Sequence, residues 1–171
     1  MSNHKVLAGA ALALACATAI STSDARAQEA LVTYKSISPD IALEIAQAAM
    51  KRCRDDGLQV SVVVMDRSGQ PLVVYRDRFA GLPASATASS KAYTALSFRQ
   101  STADFTAAIN AKQLSADLGR LPNIVMLGGG LPIEAGGSLV GAVGVSGAPG
   151  GEKDEICARA GLEAVQDKLD F

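Results

Sequence analysis

The sequence predicts an α/β (α+β) domain built on a five-stranded antiparallel sheet flanked by helices. Three observations carry this expectation. Apolar runs of strand length alternate with longer stretches of helical periodicity. Strands within each group are joined by short turns rich in Gly or Pro, which antiparallel pairing allows and parallel pairing does not. Aromatic residues make up only 4% of a chain with 16 glycines, so thin helices can lie close against a sheet.

The elements follow in order. Ser38-Pro39-Asp40 opens the first helix: Ser38 caps, Pro39 suits the first helical position, and Asp40 suits its positive end. Ile41, Ile45, Ala48, Ala49 and Cys53 line one face, and Asp55-Asp56-Gly57 stops the helix. Val60 to Asp66 alternates as a strand apolar on both faces. Arg67-Ser68-Gly69-Gln70 turns the chain, and Pro71 to Asp77 returns antiparallel. After Gly81-Leu82-Pro83, residues Ala84 to Arg99 form an Ala/Ser/Thr-rich middle helix with Ala88, Ala92, Ala95 and Leu96 near one face. Ser101-Thr102-x-Asp104 resembles a capping signal for a shorter helix through Asn110. Asn123 to Leu127 is expected as the third strand, Pro132 to Ala135 as the fourth and Leu139 to Ser146 as the fifth, separated by Gly128-Gly129-Gly130 and Gly136-Gly137. Gly147-Ala148-Pro149-Gly150-Gly151 leads into a last helix whose apolar face holds Ile156, Cys157, Ala160, Gly161, Ala164 and Val165.

The first 27 residues read as a secretory signal. Lys5 gives a positive start, Val6 to Ile20 an apolar core, and Ala25-Arg26-Ala27 a cleavage site before Gln28. The apolar run is shorter than the ~20 residues needed to span a bilayer. Residues 28–171 are then expected as a single exported domain, periplasmic or secreted, without a transmembrane segment. Cleavage would remove Lys5, Arg26 and Asp24. That leaves 14 basic and 16 acidic side chains and a net charge of −2. No cationic surface for nucleic acid is visible in such a balance.

The only histidine is His4, inside the signal. The processed chain therefore has no imidazole for a Ser-His-Asp site, a His-ligated zinc or a proximal haem ligand. Cys53 and Cys157 are read as two buried small hydrophobes; a disulfide is the alternative in an oxidising compartment.

Several motifs invite chemistry and lose it on inspection. Gly147 to Asp154 follows a strand and opens a helix, but Glu152 stands where a phosphate loop needs glycine, and the acidic first turn would repel phosphate. Gly128-Gly129-Gly130 reads as a tight turn rather than an oxyanion loop. Asp66 and Asp77 suit strand-end and turn roles. Gly141, Gly144 and Gly147 permit close approach on either side of the fifth strand. Lys91, Tyr93, Thr94 and Arg99 on the middle helix are the candidate ligand contacts. Two cations near a hydroxyl could hold carboxylates, although the same row also fits a solvated face with alkyl stems packed down.

Four segments together resemble the GlcG/HbpS family of haem-binding extracellular proteins and of small proteins encoded with glycolate or diol catabolism. They are Met65-Asp66-Arg67-Ser68-Gly69, Lys91-Ala92-Tyr93-Thr94-Ala95, Gly128-Gly129-Gly130-Leu131-Pro132, and Gly141 to Gly147 with Asp154-Glu155-Ile156-Cys157-Ala158. The resemblance implies a profilin-like fold, a homo-oligomer of octameric size and haem binding in some members. Without histidine, axial ligation would fall to Tyr93, Thr94, Met65, Met126 or a thiolate. The expectation is an exported oligomeric protein that binds haem or another small flat anionic ligand, in an accessory or sensory role. The rival expectation is a periplasmic enzyme, or enzyme accessory, on a small hydroxy-acid or aromatic catabolite, with Lys91 as base and Arg99 binding a carboxylate.

Overall fold

In the computed structural model, residues 31–170 are described; the expected signal, residues 1–27, lies outside the described residues. The chain divides after Tyr34, and every element below belongs to the unit Lys35–Phe171. Helix α1 (Pro39–Asp55) starts as its sequence dictates. Ser38 Oγ accepts from the Ile41 amide at 3.4 Å, Asp40 lies in the first turn, and Arg52 and Arg54 lie in the last. The strands are β1 (Ser61–Asp66), β2 (Pro71–Arg76), β3 (Gly130–Ala135) and β4 (Ser138–Ser146). They pair antiparallel in the order β2-β1-β4-β3. Helices α2 (Ala84–Phe98) and α3 (Thr102–Asn110) separate the hairpins, and α4 (Gly151–Glu163) and α5 (Gln166–Leu169) close the chain.

The sheet is covered on both faces. Val62, Val64, Val143 and Val145 point to one side and pack against Ala42, Ile45, Ala49 and Met50 of α1 and Ala158 of α4. Val63, Met65 and Ala142 point to the other and meet Ala88, Ala92, Ala95 and Leu96 of α2. Gly144 is central to the second contact: a Cβ there would lie 2.7 Å from the Ala92 amide nitrogen, so only glycine lets α2 settle onto β4. Gly161 does the same between helices, where a Cβ would lie 2.7 Å from the Ile45 carbonyl of α1.

Three expectations are corrected. The sheet has four strands among the described residues, because residues 123–127 form no ladder. They run as coil after a 3-10 turn (Ala116–Arg120). Asn123 takes a left-handed φ of 63°, and the Val125 amide donates to Thr94 Oγ1 at 3.0 Å. A threonine hydroxyl thus takes the donor that a neighbouring strand would have taken. The expected fourth strand begins two residues earlier, at Gly130. Finally, Cys53 and Cys157 are not free thiols but a disulfide joining α1 to α4, with Cα atoms 5.5 Å apart and a sequence separation of 104. Both are fully buried, as their apolar helical faces implied, and those faces oppose each other.

Candidate ligand-binding site on the middle helix

The four candidate residues do not form one cluster. Lys91 and Thr94 point inward, and Tyr93 and Arg99 outward. Lys91 is 2% exposed. Its Nζ donates to Asp154 Oδ2 at 2.6 Å and to the Val145 carbonyl at 2.9 Å. Asp154 lies in the first turn of α4, and its Oδ1 accepts from the Ala148 amide at 3.0 Å. Burial pushes the Asp154 carboxyl above the ordinary aspartate value; the Lys91 ammonium and the Ala148 amide pull it back only in part. The glycine turn seals this pair. A Cβ at Gly129, whose φ is 111°, would sit 2.6 Å from Asp154 Cβ and 3.0 Å from Lys91 Nζ.

Thr94 is fully buried, donating to the Ser90 carbonyl at 2.7 Å while accepting from Val125. Thr102, also buried, accepts from the Gly130 amide at 2.9 Å. The Lys-Ala-Tyr-Thr-Ala, Gly-Gly-Gly and Asp-Glu motifs therefore meet in one buried polar knot that fixes α2, the glycine turn, β4 and α4 relative to each other. Lys91, expected as a ligand contact, lies beneath the glycine turn with its ammonium bonded to Asp154 and the Val145 carbonyl. Asp154 was not among the expected site residues. A lone lysine on an otherwise Ala-rich inward face, with an aspartate opening the last helix, was the signal for their pairing.

The outward side of α2 has a different character. Tyr93 is 38% exposed, with its ring edge 3.7 Å from the space a Gly69 Cβ would take. Arg99 ends the helix in the left-handed region at φ 54° and is exposed. Residues 78–103 contain no carboxylate at all, while carrying Arg78, Lys91 and Arg99. Phe79 and Leu82 are strongly exposed in the connection leading into α2. Tyr93 offers an aromatic ring and Arg99 an exposed cation, a combination that suits a flat anionic guest.

Asp66 and Asp77 hold the structural roles expected of them. Asp66 Oδ1 accepts from the Ser68 and Gln70 amides at 2.8 and 2.9 Å, and Asp77 Oδ2 accepts from Arg54 Nε at 2.7 Å. Two shallow clefts lie elsewhere, next to β3 and α5. One of about 330 Å³ is lined by Ile37, Ile41, Val140 and Leu169 among others, and one of about 340 Å³ by Ile133, Leu162 and Leu169 among others. No described helix is long and apolar enough to cross a membrane.

Comparison with known proteins fits this architecture. Residues 37–163 match the family model described as haem degrading protein HbpS-like. An uncharacterized 15.0 kDa protein of the dhaT-dhaS intergenic region of Citrobacter freundii is 33% identical over 128 residues, 74% of this chain and 89% of that protein. The crystal structure of HbpS is 35% identical, with a TM-score of 0.75 over 79% of this chain and 94% of that one; a double mutant of Streptomyces reticuli HbpS is similar at 34%. A structure of a PduOC:heme complex is 25% identical, with a TM-score of 0.69 over 75% of this chain and 94% of that one. Sequence and fold agree over nearly the whole described unit, and the chain belongs to the HbpS-like family.

Proposed function

We propose that this protein is an exported, oligomeric accessory protein that binds haem or a closely similar flat, apolar dianion. The observation that carries the reading is the acid-free outward face of α2, with Tyr93 and Arg99 exposed on a fold shared with a haem-complexed relative. The residues fit haem in a specific way. The disulfide occupies Cys53 and Cys157, Met65 is buried, Met126 is half-buried, and Thr94 has its hydroxyl committed on both sides. Tyr93 is the remaining oxygen donor of the candidate set at the surface, and Arg99 is the cation for a propionate. Haem would supply the iron chemistry; the chain's part is to bind, orient and shield it. The signal-like residues 1–27 and a disulfide, which persists in oxidising compartments, support export.

The enzymatic rival assigned Lys91 as base. The ammonium of Lys91, bonded to Asp154 and the Val145 carbonyl beneath the glycine turn, supports the binding reading over base catalysis. Hemin titration of the chain from Gln28 onward tests the proposal. A shifted Soret band is expected, altered in position by Tyr93→Phe and weakened about tenfold in affinity by Arg99→Glu. An unshifted band under both oxidising and reducing conditions would remove haem as the guest.

A further inference from the structure

The two edges of the sheet differ in how they are finished. On β3, the bond from the Val145 amide to the Gly129 carbonyl sets the phase of the ladder, so Gly130 and Pro132 turn their backbone groups outward. Gly130 gives its N–H to Thr102, and Pro132 has none. The exposed Glu134 follows at a bulge. A side-chain cap, a proline, a charge and a bulge are all devices that stop edge pairing.

On β2 those devices are absent from the middle of the strand. The bond from the Asp77 amide to the Val60 carbonyl at 2.9 Å places Tyr75 and Val73 toward β1 and turns the N–H and C=O of Val74 and Arg76 outward. No described residue bonds to those outward groups. The strand reads Leu-Val-Val-Tyr between Pro71 and Arg76. The Arg76 guanidinium folds back to the Ala80 carbonyl and leaves the edge uncovered. Val74 lies opposite Val63 on the face packed by α2. That helix lies chiefly over β1 and β4, so Val74 is 57% exposed.

We infer that β2 is a self-docking edge, on which two copies of this chain pair antiparallel about a two-fold axis at Val74. The inference rests on the reading of the protein as an oligomer and names the edge it uses. Val74 would exchange both backbone bonds with Val74 of the partner subunit, and the uncovered valines would bury each other. Arg76 is the strand's only charge. The antiparallel register sets it beside Leu72 of the partner subunit, so the two guanidiniums lie at opposite ends; a parallel pairing would stack them. The product is one continuous sheet twice the width of the monomer's.

Sedimentation and native mass spectrometry of Val74→Lys, Val74→Glu and their equimolar mixture test this. Val74 is exposed in the isolated subunit, so both variants are expected to keep the wild-type circular dichroism spectrum. Each alone should weaken dimerisation by on the order of tenfold or more, since it loses apolar burial and opposes like charges at the axis. The mixture should recover a dimer containing one of each. Variants that assemble as the wild type does, or a mixture that recovers nothing, would overturn the β2 edge while leaving oligomerisation standing. A wild-type chain that is monomeric at all concentrations would overturn both.

Discussion

Lys91 shows how far one buried charge can organise a fold. Its partner lies 63 positions away in sequence, and both groups are almost wholly removed from water. Desolvating two ions is costly, so the intact pair adds little net stability, whereas removing one partner strands the other. Lys91→Met or Asp154→Leu should each cost about 3–5 kcal/mol in denaturant unfolding. The double variant should recover a large part of that loss, because no orphan charge remains. Asp77 behaves differently. The Arg54 hydrogen bond holds its carboxyl below the ordinary aspartate value, against the opposing pull of burial. A depressed carboxylate stabilises the fold above its unfolded value and loses that contribution as pH falls through the folded value. The difference in melting temperature between wild type and Asp77→Asn should therefore be full near neutrality and shrink as pH drops below about 4.

Among the elements, those with local signals were legible from the sequence. The Ser38-Pro39-Asp40 start, the Ser101 cap and the Arg67–Gln70 turn all use contacts within a few residues, and each stands where the sequence placed it. Residues 123–127 depart from the expected strand although Ile-Val-Met has strand composition, because the Ile124 amide bonds back to the Leu121 carbonyl in a turn and the Val125 amide bonds to a side chain 31 positions away. The candidate site was half legible. Helical spacing put Lys91 and Thr94 together, but spacing cannot say which side of α2 the sheet covers. The small-residue pattern of β4 was read as permission for close approach, and Gly144 under α2 is that approach. Gly144→Ala should lower the melting temperature by several degrees without altering far-UV circular dichroism, since the helix must lift off the sheet to admit a methyl group.

For the whole molecule, the disulfide is the longest covalent constraint. It closes a loop of 104 residues and spans from the first described helix to α4. Chain-entropy arguments assign such a loop roughly 4–5 kcal/mol. Reduction under partly denaturing conditions, or Cys53→Ser with Cys157→Ser, should lower the denaturant midpoint and raise the slope, because the unlinked denatured chain is less compact and exposes more surface. The sequence located both cysteines on buried faces; only the arrangement of α1 against α4 brought them within bonding distance.

The two attachments of α4 have a temporal consequence. Asp154 fastens the helix toward α2 and Cys157 fastens it to α1, so both covers of the sheet are secured from a single late segment. A nascent polypeptide that ends before Gly151 possesses neither fastening. Closure of this domain therefore requires the segment from Gly151 onward, and shorter lengths of the chain lack both fastenings.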